Sequence, residues 1–474
     1  MRAEPVARPD QFVRRTLSRP RMGVAADKLR QVSLRVSLSG IRMPLALLII
    51  LTISRVHQYF GFLNKVRPAL LLFLWAGGLF FASAREGATQ NWREKPARLM
   101  LYLGGAAVVS TVFGISPGGS ASFIMNTYWK VLALALMVAA AIRNDDDLWT
   151  LIWSYVIAIG VLSWMTLTVF HMESGANGFS RLGDGYTYDA NDIGLVCLTG
   201  LPLCFVTFRT SKKIGKIASL GVVALACIAI ARTGSRGAFL GIIAEAGALL
   251  VFGSGISISK RVAIAVIGAA ALAIAAPPGY LKQMGTIADP TQDYNWTSRT
   301  GRKQVALRGF GYLKRNPITG IGVMNFPRAE GTLSDAAQNF ELGNGSGVKW
   351  SAAHNTFLEA VVEMGLIGGI VFVSLIGVGM GCGREIRRIR LKGSSGTAPT
   401  PLIVSFGAYM PIAFIGFAVS SFFLSFAYMD PVYILAALTA GGLGLVRRKM
   451  KVVPQTGPRP NRHRAVTVRP HEPR

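Results

Sequence analysis

Acidic residues are scarce: 23 Asp and Glu stand against 51 Lys and Arg, and charged residues make up only 16% of the 474-residue chain. A soluble chain of this length needs more charged surface than that. With 51% of the residues hydrophobic, the bilayer is the expected solvent. Cysteine is rarer still. Cys197, Cys204, Cys227 and Cys382 all fall within or at the edge of apolar runs, which excludes a disulfide framework for an outer loop. No residues show metal-ligand spacing, so neither a metal nor another cofactor is expected. Also missing is a short apolar core followed by a small-residue cleavage site, so residues 43–63 read as a first span rather than a leader. No repeat of fixed period is present.

What is abundant is positive charge, +28 net, and its placement argues against nucleic acid. Much of it sits in two tails, residues 1–42 and 447–474, beside apolar runs. Basic tails next to spans are normally cytoplasmic anchors against anionic lipid.

Apolar stretches recur at 43–63, 67–84, 98–116, 122–142, 147–170, 191–208, 214–231, 237–253, 261–277, 355–380, 402–427 and 431–446. The expected fold class is therefore all-α: a polytopic membrane protein of about twelve spans. Spans one to nine occupy 43–277, and the last three occupy 354–446. Basic clusters fall in alternate connections: Arg85 to Arg98, Arg209 to Lys216, Lys260 with Arg261, and Arg384 to Lys392. With the N-terminus inside, all of these are cytoplasmic, and so are both tails. Residues 171–190, 232–236 and 278–353 then face outward.

The 278–353 connection is too long for a plain link and should form short helices on the membrane surface. Residues 302–315 fit an amphipathic helix, with Val305, Leu307, Phe310 and Leu313 among basic positions, ended by Asn316-Pro317. Gly343 to Gly347 reads as a flexible turn. The loop is basic, with Lys282, Arg299, Arg302, Lys303, Arg308, Lys314, Arg315, Arg328 and Lys349 against five carboxylates. A solvated surface touching lipid headgroups is one reading. The other is an anion site, because guanidinium groups grip phosphate bidentately.

Arg232-Thr233-Gly234-Ser235-Arg236-Gly237 forms a turn between two spans at the outer boundary. Arginines at span ends often only snorkel. Two of them with Ser235 in a glycine-punctuated turn also suit a phosphate cradle. His354-Asn355 opens the tenth span, where helix N–H groups favour an anion and an imidazole can act as a general base. A purely structural histidine at a helix start is the alternative. Asn355, Glu359 and Glu363 share one helix face, and two carboxylates in an apolar run must face a polar interior rather than lipid. Asp189 and Asp192 are further outward carboxylates.

TGSRG at 233–237, an arginine opening the loop helix, NPITGIG at 316–322 and AHNTFLEAVVEMGLIGG at 353–369 follow one another in the order that resembles the O-antigen ligase and O-antigen polymerase family. The likeness covers about 230–370, with hydropathy alone outside it. One departure is Ala306, at a place where the family often carries an aromatic. The resemblance implies a metal-independent bacterial inner-membrane glycosyltransferase using a polyprenyl-pyrophosphate-linked glycan. Arg236 and Arg302 would clamp the pyrophosphate, with Arg232 and Arg299 supporting. His354 would be the base, with inversion at the anomeric carbon. Ser235, Asn355, Glu359 and Glu363 would line the substrate site. The acceptor could be another lipid-linked glycan, lipid A core or a protein. From other classes, a flippase of lipid-linked glycans would rest on Lys130 and Glu245, and an export scaffold on topology alone.

Overall fold

The computed structural model describes residues 40–83, 88–174, 180–183, 187–253, 256–289, 291, 298, 301–341, 350–392 and 399–451. Among the described residues the protein is all-α apart from a small antiparallel pairing of Met172–Ser174 with Ser180–Leu182, which the hydropathy pattern gave no reason to expect. Most of both basic tails, Arg299 and the Gly343 to Gly347 stretch lie outside the described residues.

A helix coincides with every apolar stretch of the sequence. Eight of these helices are long and apolar enough to cross a membrane: Lys95–Phe113, Pro117–Ala141, Asp145–Thr168, Ala190–Thr210, Lys213–Thr233, Ile258–Ala275, Thr356–Met380 and Pro401–Phe423. The protein is thus a multi-pass membrane protein. The remaining four are Gly40–Ser54, Pro68–Ser83, Arg236–Phe252 and Asp430–Lys451; they are shorter, or carry a charged end. The first differs most from expectation. The apolar run to residue 63 is not one helix, because Arg55 adopts a left-handed backbone (φ 56°) and ends it. Arg55 Nη2 is bound to Asp430 Oδ2 at 2.6 Å, which turns the chain aside.

Among the described residues between Ala275 and Thr356 lie four short helices: Tyr280–Gly285, Arg302–Arg315, Phe326–Thr332 and Asp335–Glu341. Arg302–Arg315 has the expected bounds, and Asn316 caps its C-terminus. Its buried face is Val305, Gly309 and Tyr312 rather than the run through Leu307 and Phe310, both of which are exposed. Val305, Tyr312, Phe326, Ala353, Leu358 and Val362 join a small core separate from that of the bundle. The loop therefore rests on the N-terminal part of Thr356–Met380.

That helix carries the decisive irregularity. Gly365 (φ 69°, ψ −178°), its tenth residue, breaks it. In an unbroken α-helix the Leu366 N–H would donate to the Val362 carbonyl. Here Leu366 N–H donates to Pro317 O at 2.8 Å, and Val362 O accepts from Ile321 N–H at 3.0 Å. Gly322 N–H donates to Glu363 O at 3.0 Å, and Ile115 N–H, just past Lys95–Phe113, donates to Ile321 O at 2.9 Å. The 317–322 segment thus takes up the hydrogen bonds that the break releases. Irregular backbone at membrane depth persists only under such compensation. Gly320 (φ 73°) and Gly365 approach so closely that a Cβ on either would strike the backbone of the other segment. This explains the glycines of both motifs physically: they are the two sides of one backbone junction.

Candidate functional site

His354 stands immediately before the helix cap. Asn355 Oδ1 accepts from the N–H groups of Phe357 and Leu358, both at 3.0 Å, so this side chain is committed to the N-cap. His354 itself has a left-handed backbone (φ 50°). Non-glycine residues pay of the order of 1 kcal/mol for that conformation, and histidine is among those that occupy it most often. The conformation is held from a segment 71 residues further on, where Ser425 Oγ accepts the His354 N–H at 2.9 Å.

Residues 420–430, Ser-Ser-Phe-Phe-Leu-Ser-Phe-Ala-Tyr-Met-Asp, organise this end of the bundle. Thr356 Oγ1 donates to Leu424 O at 2.8 Å and accepts from Phe426 N–H at 3.1 Å. Glu359 Oε2 accepts from Ala427 N–H at 2.9 Å. On the other side, a methyl at Gly237 would lie 3.0 Å from Phe423 Cβ and 3.1 Å from the Ser420 carbonyl. Phe423 and Ser425 are two residues apart. The Arg236-Gly237 turn and His354, 118 positions apart in sequence, therefore meet across this one strip. The strip was not singled out in the sequence. Its signal was there: three serines and a terminal Asp430 interrupting the apolar run from 402 to 446.

The turn itself is tightly built. Ser235 caps Arg236–Phe252 by accepting from Ala238 N–H at 3.2 Å, and its own N–H donates to Thr233 Oγ1 at 3.2 Å. Ser235 is buried, so its hydroxyl serves the fold. The turn seats against the start of Ala190–Thr210, where a methyl on Gly194 would come 2.9 Å from Ala238 Cβ. The two arginines are held by different neighbours. Arg232 Nη1 donates to Leu167 O at 2.7 Å, at the C-terminal end of Asp145–Thr168, where a cation suits the helix dipole. Arg236 Nη1 donates to Thr286 Oγ1 at 2.9 Å, which ties the turn to the start of the loop. Arg302 is the first residue of its helix, half-buried, one turn before Val305, which packs in the core that contains Ala353.

The two carboxylates do face the interior, and both are buried. Glu363 Oε1 accepts from Phe326 N–H at 2.8 Å and Oε2 from Met324 N–H at 2.7 Å, holding the turn after Gly322. Met324 is left-handed at that turn (φ 58°). Glu359 and Glu363 thus pin the 424–427 strip and the 324–326 turn to one helix. Asp189 and Asp192 form a capping box, Asp192 N–H to Asp189 Oδ1 at 2.8 Å and Asp189 N–H to Asp192 Oδ2 at 3.1 Å.

Not all loop cations are available to a ligand. Arg308 is forked onto buried Glu330, with Nε at 2.9 Å and Nη2 at 2.5 Å, and Tyr312 donates to the same carboxylate at 2.8 Å. That hydrogen bonding raises the Arg308 pKa, while burial first and then the Glu330 bond raise that of the Tyr312 phenol. Arg328 Nη1 donates to Ser116 Oγ at 2.6 Å. Among the described residues no group of three or more His, Cys, Asp or Glu is placed to hold a metal ion.

Residues 221–373 match the family model described as O-antigen ligase. The protein carries an O-antigen ligase domain. The matched stretch contains the arginine turn, the loop helix, the 316–322 segment, His354 and the broken helix. Comparison with curated proteins gives no match. For the O-antigen ligase domain, the match supports a ligase- or polymerase-like glycosyltransferase, with a lipid-linked glycan donor and a glycan acceptor in general terms.

Proposed function

We propose that the protein transfers a glycan from a polyprenyl-pyrophosphate carrier to an acceptor hydroxyl at the outer face of the bacterial inner membrane. The observation that carries this reading is that the Arg236-Gly237 turn and the His354 backbone both pack on the 420–427 strip, while the helix opened by Arg302 packs on the Thr356–Met380 helix that His354 precedes. A pyrophosphate leaving group gains negative charge as the glycosidic bond breaks. Fixed guanidinium groups at the membrane surface stabilise it where the carrier lipid delivers it. In this reading Arg236 and Arg302 form the clamp. Arg232 contributes field from its helix-end position, and Arg299 is a further candidate in the same loop.

The acceptor hydroxyl loses its proton as it attacks the anomeric carbon. His354 is the base, held by a strained backbone that its neighbours fix. A single direct displacement inverts the anomeric centre, and arginines supply the charge stabilisation that a metal would otherwise provide. Asn355, Glu359, Glu363 and Ser235 act as positioning residues for the substrate site, since their polar atoms serve caps and backbone N–H groups.

The same reading orients the chain with about twelve crossings, both tails cytoplasmic and residues 278–353 periplasmic. The purified protein, given a polyprenyl-pyrophosphate-linked oligosaccharide and a hydroxyl acceptor, should release polyprenyl pyrophosphate in proportion to extended or attached glycan, equally with and without chelator. Chelator-sensitive transfer, or transport of the donor across vesicles with no glycan product, would contradict it. In a deletion strain, loss of chain length points to a glycan acceptor and loss of attachment to lipid A core.

A further inference from the structure

A second constellation lies at the far end of the bundle from the candidate site. Lys95–Phe113 runs through 19 residues, about 28 Å at 1.5 Å per residue. Its C-terminal end meets the 317–322 junction through Ile115. Its N-terminal end opens onto a cavity of about 370 Å³ whose lining includes Arg93, Lys95, Arg98, Arg447 and Arg448, with Glu94 the one carboxylate. Five cations against one acid make this concavity strongly electropositive.

The cations divide into two sets. Arg447 is spent on Glu94 at 3.0 Å and Glu385 at 2.7 Å. Arg448 donates to Asn91 Oδ1 at 2.5 Å and Ile142 O at 2.8 Å. Arg93, Lys95 and Arg98 are exposed, and no described residue pairs with them. The backbone that leads to them is nonetheless held in place. Asn91 is buried and donates to Ala139 O at 2.7 Å and Ile142 O at 2.9 Å. Trp92 donates to Leu136 O at 2.9 Å and stacks on Phe80. The turn that presents Arg93 and leads into Lys95 is therefore anchored by the two residues before Arg93. The chain's own tails do not match this charge. Residues 1–39 hold nine Lys and Arg against three acids, and residues 452–474 are basic as well.

We propose that this cavity binds a phosphate-bearing anion, either the headgroup of an acidic glycerophospholipid or a soluble polyphosphate. Arg93, Lys95 and Arg98 supply the charge, and the pinned Asn91-Trp92 turn supplies the shape. A guanidinium offers phosphate two parallel hydrogen bonds, and a lysine ammonium adds a point charge beside it.

The test uses the full chain purified in uncharged detergent, with dioleoyl phosphatidic acid, dioleoyl phosphatidylcholine and inorganic pyrophosphate as probes, and lipid binding read by native mass spectrometry. Lys95→Gln/Arg98→Gln is expected to weaken phosphatidic acid binding at least tenfold. Arg387→Gln/Arg390→Gln removes the same charge from exposed positions of Cys382–Lys392 and should change it less than about twofold. Displacement of the lipid by pyrophosphate at comparable concentration identifies a soluble phosphate as the ligand. Resistance to it identifies the lipid headgroup. Equal losses in the two double variants mean diffuse attraction to the basic face, and equal binding of phosphatidylcholine means an apolar groove. Either result overturns the proposal. Arg93→Gln, a third exposed cation of the lining, gives an independent reading should the first double variant fold poorly.

Discussion

The His354 N–H donates to Ser425 Oγ at 2.9 Å, joining the start of one membrane helix to the strip between the last two. Because His354 is left-handed (φ 50°), this bond helps to hold a backbone that would otherwise relax. Ser425→Ala should therefore lower transfer by about three- to tenfold, the scale of one net hydrogen bond of about 0.5–1.5 kcal/mol, with donor affinity unchanged. Ser425→Thr should restore most of the rate. Single-turnover measurements at saturating donor check both; a fully active alanine variant would show that the bond plays no part in positioning His354.

The junction of Gly320 with Gly365 predicts a stability effect rather than a kinetic one. Each has a positive φ and faces backbone, so Gly365→Ala should lower the thermal midpoint sharply, by an amount corresponding to about 2 kcal/mol or more. Gly221→Ala, in open space on Lys213–Thr233, should be neutral or slightly stabilising. Thermal unfolding of the two variants in the same detergent separates them, and equal midpoints would mean that the junction is slack.

Arg302→Lys keeps the charge and loses the planar fork. Activity should fall tenfold or more while expression holds, whereas Arg315→Lys, exposed at the far end of the same helix, should be nearly silent. Matching losses in the two variants would show that the loop acts through bulk charge and that Arg302 has no special place.

Orientation can be read with thiols, because all four native cysteines are buried. Ser334 would be a poor reporter, since it is buried and bonded to Glu330 O at 2.6 Å. Exposed Lys314→Cys and Arg390→Cys are better choices. An impermeant reagent applied from the periplasmic side should label the first and spare the second until the membrane is opened. Labelling of both from that side would refute the proposed topology.

Much of this arrangement was legible in the sequence, and the parts that were not share a cause. Apolar runs located the helices because a span must satisfy its own backbone and hide it from lipid, which leaves a long unbroken signal. The Arg302–Arg315 bounds followed from Gly301 and Asn316-Pro317. Which face that helix buries did not follow, because Leu307 and Phe310 are apolar yet turned away from the protein. The glycines of 316–322 and 365–369 were visible as a pattern, but only the fold shows them to be partners across 45 residues. Likewise Glu359 and Glu363 carried the mark of an interior-facing stripe, while their partners, backbone N–H groups of Ala427, Met324 and Phe326, have no sequence signature. Long-range backbone pairing is the information that a local reading of residues lacks.

The central claim is that His354 takes the acceptor proton, and His354→Gln tests it most directly. Glutamine can occupy the position and keep the backbone N–H to Ser425, but it cannot accept a proton at neutral pH. In purified enzyme saturated with polyprenyl-pyrophosphate-linked glycan, the variant should bind donor normally and turn over about a hundred- to ten-thousand-fold more slowly. Turnover within about twofold of the unaltered protein would contradict the account, leaving His354 as a helix-start residue and requiring another group to take the proton.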